Sequence, residues 1–145
     1  MPNQNTDVPL INEAPKDAHL WIREIAAELG ECPDRSAYHA LRGVLFALRD
    51  RILPQEAVHL GDQLPTLIRG IYYESYTQGG KPEKIRHLDD FLEKIRHETD
   101  QTDPAPDPEA SLKAVSGVLS RHIDKGQYIQ VKKALPLEIQ EKLAA

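Results

Sequence analysis

Cysteine is almost missing from this 145-residue chain, where Cys32 stands alone. A lone cysteine excludes an internal disulfide framework and any cysteine-rich zinc site, and it suits a reducing compartment. No general base stands at a telling spacing from it, so it reads as an incidental thiol. Long apolar runs are missing too. Nothing approaches the ~20 consecutive apolar residues that span a bilayer, and the start MPNQNTDVPLINEAPK lacks the basic opening and apolar stretch of a secretory signal. No membrane is therefore an expected partner, and the expected compartment is the cytoplasm. Surplus positive charge is the third absence: the formal net charge is -5. Proteins that neutralise many phosphates carry a basic face, so nucleic acid is not an expected partner either. Finally, there is no glycine-rich phosphate loop, nucleophile elbow, HExxH pair or Cys/His ligand spacing. No catalytic residue, metal or cofactor is assigned, and nothing supports an enzyme.

What is present is helical periodicity interrupted by prolines. Residues 1–16 are polar, hold three prolines and show no period, and read as a flexible arm. From Asp17, a plausible N-cap, Leu20, Trp21, Ile25, Ala26 and Leu29 recur at helical spacing up to the stop at Gly30. A second helix, capped by Asp34, carries the stripe Leu41, Val44, Leu45, Leu48 and Ile52, which predicts one buried face. Pro54 and Pro65 each open a short helix, where a missing N–H costs little. After the turn-rich linker 77–81, a series from Ile85 through Leu88, Phe91, Leu92 and Ile95 is again helical. Asp107 caps and Pro108 opens the next helix, with Leu112, Val115, Val118, Leu119 and Ile123 buried and Gly126 as its breaker. Two short helices follow, and no segment alternates long enough for a sheet. The fold class is all-α.

The stretch EKIRHLDDFLEKIRH, Glu83 to His97, repeats five letters at a spacing of ten. On one helix that spacing turns the two histidines about 80 degrees apart and lifts one about 15 Å above the other, so they cannot share a metal ion. Glu83 with His87 and Glu93 with His97 then read as the i, i+4 pairs of a solvated face. Longer offsets are more informative. Trp21-Ile-Arg-Glu-Ile25 matches Phe91-Leu-Glu-Lys-Ile95, Ala40-Leu-Arg-Gly-Val-Leu45 matches Ala114-Val-Ser-Gly-Val-Leu119, and Leu64-Pro65 with Ile68 matches Leu135-Pro136 with Ile139. The implied architecture is two similar four-helix units, 17–76 and 82–145, packed about a pseudo-twofold axis around one shared core. Each alone would bury little surface. Gly43 and Gly117 hold matched positions inside helices, which predicts a close helix crossing at both.

The most unusual local sequences are ALRDR, Ala47 to Arg51, and RGIYYE, Arg69 to Glu74. Helix phase puts Arg42 and Arg49 on one flank of the second helix's apolar stripe, Arg51 on the other and Asp50 away from it. Tyr72 should face inward and Tyr73 should share the outer face of Arg69. One reading has arginine stems covering apolar surface and tyrosines anchoring the core. The other makes Arg49, Arg51, Arg69, Tyr72 and Tyr73 a partner- or ligand-binding set, because arginine and tyrosine are enriched in interface hot spots.

The run AYHALRGVLFALRDRILPQEAVHLGDQLPTLIRGIYYE, preceded by WIREIAAELG and followed by FLEKI, GVLSRHI and LPLEI, closely resembles the bacterial family catalogued as domain of unknown function 2267. The resemblance covers about 17–143 and implies a prokaryotic, all-helical, internally duplicated protein with no catalytic residue to carry over. Where relatives often have Gly-Trp after the paired tyrosines, this chain has Ser75-Tyr76. The expected function is a non-enzymatic protein-interaction or scaffolding module, open to self-association. The competing expectation is a small-molecule or anion-binding protein, or an enzyme, with a pocket between the two units.

Overall fold

A computed structural model describes residues 5–145, and among these every regular element is helical. In chain order they are α1 (Pro9–Glu28), α2 (Asp34–Arg51), α3 (Pro54–Asp62), α4 (Thr66–Tyr73), α5 (Leu88–Thr99), α6 (Pro108–His122), α7 (Lys125–Lys133) and α8 (Leu137–Gln140). None is long and apolar enough to cross a membrane. Large apolar side chains from both halves of the chain, among them Ile25, Leu45, Leu48, Ile68, Phe91, Ile95, Leu112 and Ile139, form one contiguous core. Each contributes about 1.5–3 kcal/mol by leaving water.

The central element is α2, which packs on α1, α4, α5 and α6. Its buried residues are not confined to one face: beside Leu41, Val44, Leu45 and Leu48, the residues Ser36, Ala40, Gly43, Ala47 and Asp50 are also buried. Spaced four, three, four and three apart, these five make a second stripe on the same helix, nearly opposite part of the first. Their small size lets α5 lie close. A Cβ on Gly43 would stand 3.0 Å from the Ile95 carbonyl oxygen and 3.3 Å from Glu98 Cβ, both on α5. At Gly117 the nearest atoms are the Arg121 guanidinium at 3.6 Å and Ala144 Cβ at 3.7 Å, ordinary contact with no helix crossing. The close approach expected of both glycines is thus made by Gly43 alone.

Other expectations also change. The first helix begins at Pro9, not Asp17, so the second half of the supposed arm, residues 9–16, is helical; residues 1–4 of that arm lie outside the described residues. Pro9 sits in the first turn, where its ring is preorganised, and Pro15 lies inside the helix. Asp34 is the first helical residue of α2 after Pro33, and its side chain pairs with Arg23 instead of capping. Asp107 does cap α6, accepting from the Ala110 N–H. Gly126 lies within α7; the chain breaks earlier, at Ile123, and the Asp124 carboxylate caps the new helix through Gln127 N–H.

The two EKIRH copies adopt different structures. Residues 93–97 are inside α5, whereas 83–87 precede it, with His87 in an extended N-cap conformation. The first copy is held against the end of α2 instead: Glu83 N–H donates to the Asp50 carbonyl and Arg51 Nε donates to the Ile85 carbonyl. Glu83 accordingly pairs with Lys94 of α5, not with His87.

Candidate functional site

The arginines singled out by sequence are turned mainly onto main-chain carbonyls. Arg49, buried to 5% exposure, donates from Nη1 to the carbonyls of Tyr72 (2.6 Å) and Glu74 (2.7 Å) and from Nε to Asp50 (3.2 Å). It thereby satisfies the carbonyls left open at the C-terminus of α4, where a cation also suits the helix dipole. Arg69 does the same for α3, donating to the carbonyls of Gly61 and Leu64, each at 3.0 Å. Arg51 ties the segment before α5, as above. Tyr72 is fully buried and its hydroxyl donates to the Ala57 carbonyl at 2.6 Å. Burial disfavours its phenolate and raises its pKa. Tyr73 lies on Gly61, where a Cβ would stand 2.3 Å from the Tyr73 oxygen. Arg69 and Tyr73 therefore meet at Gly61, Arg49 and Tyr72 meet at the end of α4, and Arg51 stands with neither pair.

A different set comes together on the outer face of α2. Tyr38, Arg42, Phe46 and Arg49, spaced four, four and three, share one side of the helix. Phe46 is half-buried, and the guanidinium carbons of Arg42 and Arg49 lie 4.8 and 4.1 Å from its ring centroid. Both distances are within the range of cation–π attraction. Tyr38 flanks Arg42 at 5.7 Å and Tyr76 flanks Arg49 at 5.4 Å. Tyr76 also meets Tyr73 edge-on, with centroids 6.4 Å apart.

Two acidic anchors hold this face from beneath. Glu98 of α5 is buried and accepts from Arg42 Nε at 2.8 Å, with His39 Nδ1 also 2.8 Å away. Asp50 is buried between Lys94 (2.7 Å), Arg49 (3.2 Å) and Lys81 (3.9 Å), so it is not the surface acid its phase suggests. On the solvent side Arg42 pairs with the Glu74 carboxylate. Burial alone would lower the Arg42 pKa, but hydrogen bonds to Glu74, Glu98 and the Tyr38 hydroxyl outweigh it and push the pKa up. The same bond holds the Glu74 carboxyl below its usual range.

Two open depressions lie elsewhere. One, of about 440 Å³, sits between the α1–α2 connection and the loop before α6, lined by Leu29, Cys32, Pro33, Ser36, Pro104 and Pro106 among others. Burial pushes the Cys32 thiol up, away from the thiolate a nucleophile needs. The other, about 610 Å³, is an apolar groove between α1 and α4 with Ala18, Ile22, Leu67 and Ile71 in its walls. Among the described residues no three His, Cys, Asp or Glu side chains gather as metal ligands would.

A family model described as uncharacterized conserved protein (DUF2267) matches residues 18–142. The chain belongs to the DUF2267 family. No curated protein matches it. The matched span runs from the third turn of α1 to just past the end of α8, so this DUF2267 chain contributes all of the α2 face from within the family region.

Phe46, Tyr38 and Tyr76 were not singled out by sequence. A signal existed: aromatic, arginine, aromatic, arginine at helical spacing along one side of α2. It is masked because Phe46 falls among apolar letters that read as core.

Proposed function

We propose that this DUF2267 protein is a non-enzymatic, cytoplasmic interaction module that docks a protein partner on the face formed by Tyr38, Arg42, Phe46, Arg49, Tyr73 and Tyr76. The observation that carries the reading is Phe46. A large apolar ring left half-open between two guanidinium groups, with tyrosines at both ends, concentrates the residue types that dominate interface energies. Preorganisation adds to it, because Glu98 and Asp50 hold both arginines in place before any partner arrives. Within the original set, Arg49 and Tyr73 belong to this face, while Arg51, Arg69 and Tyr72 support the helices that present it. We also read the chain as two copies of one four-helix unit. Helix lengths of 20, 18, 9 and 8 residues in α1–α4 and 12, 15, 9 and 4 in α5–α8 support a shared plan.

The test is photo-crosslinking from position 46, using a benzoylphenylalanine replacement in the native host, with position 59 as an exposed control. The expected result is one predominant adduct from position 46 that excess wild-type protein competes away and Phe46→Ala protein does not. Adducts insensitive to competition would refute the reading. The alternative, a small-molecule binder or enzyme using the 440 Å³ depression, has that depression's position between the halves in its favour. It predicts a ligand-induced rise in melting temperature that Ser36→Trp abolishes.

A further inference from the structure

We infer that α1 is a self-association element: two copies of the chain pair antiparallel about a twofold axis, with Ile11 of each seated in the groove between α1 and α4 of the other. The inference goes beyond the interaction face proposed above and does not depend on it.

The helix carries more seam than its own bundle uses. Ile11, Pro15, Ala18, Ile22, Ile25 and Leu29 recur at spacings of four, three, four, three and four, the repeat by which one helix packs along another at a shallow angle. Ile25 is fully buried in the core, Ala18 and Ile22 are half-buried at its edge, and Ile11 is 59% exposed. Ile11, Pro15, Ala18 and Ile22 fall within about 60 degrees of one another around the helix. The last three of them line the 610 Å³ groove, together with Leu67 and Ile71 of α4. The apolar surface of the groove therefore continues one turn past its end, onto Ile11.

Upstream of Pro15 the bundle gives α1 little support. Only Ala14 is buried there, while Val8 and Leu10 are open to solvent. Proline has no N–H to donate to the Ile11 carbonyl, which weakens the helix at the same place. A groove without a filling and a ridge without cover thus lie on one helix, where the ridge cannot fold back onto the groove. A twofold axis passing near residues 16 and 17 brings the two together. In that antiparallel register Ile11 meets Ile22 of the second copy and Pro15 meets Ala18, each contact being made twice, as an isologous interface requires. The small Ala18 at the centre lets the helices approach closely, and their opposed dipoles favour the alignment.

The seam calls for a helix, and among the described residues α1 alone offers such a stripe to solvent. The open apolar residues elsewhere, Leu53, Val58, Ile129 and Leu137, share no helix with one another. Charge argues against a lipid surface, which recruits helices through a basic polar face. Between Val8 and Ile22 the helix has one basic residue, Lys16, against Glu13 and Asp17. Lys16 is paired with Glu13, and Asp34 at the rim of the groove is paired with Arg23, so these charges do not oppose one another when two copies meet. The stretch from Val8 to Ile22 is about 21 Å long and two adjacent helices are about 20 Å wide, a face of about 400 Å² per copy in flat projection. Two such faces make an interface at the small end of the specific range, so the pairing is weak and reversible.

The experiment is sedimentation equilibrium of the full chain from about 5 to 500 µM, the range in which so small an interface assembles. The weight-average mass should rise from that of one chain toward that of two. Ile11→Glu and Leu67→Glu, both at open positions, should each weaken association about ten-fold or more by placing an unpaired charge in the apolar contact. Their far-UV circular dichroism should match wild type. Leu137→Glu, at an open residue of α8, should leave association unchanged. Orientation is read in a Cys32→Ser background: Ile11→Cys and Ile22→Cys chains, mixed and oxidised with copper phenanthroline, should give mainly the 11-to-22 disulfide. A mass that stays at one chain throughout overturns the inference. So does a dimer that both groove-side glutamates leave intact, or one that Leu137→Glu weakens equally, because the copies then meet elsewhere. A predominant 11-to-11 disulfide overturns the antiparallel pairing. Binding of monomeric wild type to phosphatidylcholine and phosphatidylglycerol vesicles, lost in Ile11→Glu, would assign the face to a lipid surface instead. Crosslinking from position 46 is read separately, so either conclusion can fail without the other.

Discussion

Gly43 and Gly117 occupy matching places in similar local sequences, yet replacing each with alanine should move stability in opposite directions. In either helix the substitution gains about 1 kcal/mol of helix propensity. At Gly43 the new Cβ meets a main-chain oxygen of α5 at 3.0 Å and two side-chain carbons at 3.3 Å. The oxygen belongs to a helix packed along α2, so it cannot yield without moving α5. Overpacking of this kind costs about 1–3 kcal/mol, which cancels or exceeds the propensity gain and leaves a net loss of up to about 2 kcal/mol. For a chain of this size 1 kcal/mol corresponds to about 3–4 °C, so Gly43→Ala should lower the melting temperature by up to about 8 °C. Gly43→Leu should lower it further. At Gly117 nothing lies closer than 3.6 Å. Gly117→Ala should therefore keep most of the propensity gain and raise the melting temperature by about 2–4 °C. Differential scanning calorimetry of the two alanine variants decides the matter. Shifts of the same sign would refute the claim that α5 crosses α2 at Gly43 while no helix crosses α6 at Gly117.

Asp50→Asn removes the charge that three buried or half-buried cations share, and should cost about 3 kcal/mol by urea denaturation; a loss below about 1 kcal/mol would mean that Glu83 takes over their pairing. Glu24 of α1 meets His122 (2.6 Å) and Arg121 (3.2 Å) of α6. Partial burial would raise its pKa, but the hydrogen bonds from His122 and Arg121 outweigh burial and hold it below the ordinary 4.5. A carboxyl lowered in the folded state contributes stability above its unfolded pKa and loses that contribution as pH falls through the folded value. The stability difference between wild type and Glu24→Gln should accordingly be present at pH 6 and shrink steadily once pH drops below about 4.5; a difference that does not change with pH would show that the pair acts through shape alone.

Helix content and most helix boundaries were legible because they rest on local rules. Pro54, Asp107 and Gly30 act through their own backbone preferences, and each lies where those preferences place it: the first turn of α3, the cap of α6, and a positive φ after α1. The errors share a cause. Asp17 looks like a cap, but α1 continues upstream of it as far as Pro9. Asp50 lies off the large apolar stripe, so its burial against Lys94 could not be read from phase. Phe46 and Tyr76 carry no signal of their own until Arg42 and Arg49 are known to lie over and beside them.

By itself, then, the sequence determined that the chain is all-helical, where most of its helices begin and end, which large side chains enter the core, and the likeness that places it in its family. All of these follow from periodicity, capping and composition, which act over a few residues. Only the tertiary structure decided which of two identical pentapeptides is a helix, which of two matched glycines is crossed, and which arginines support helices and which also line a face. Those outcomes depend on contacts between residues far apart in sequence, where the neighbour supplies the hydrogen bond, the clash or the opposite charge. EKIRH at 83–87 stays extended because the end of α2 offers it the Asp50 carbonyl and the Arg51 guanidinium, and EKIRH at 93–97 lies inside α5 because the helix from Leu88 runs through it.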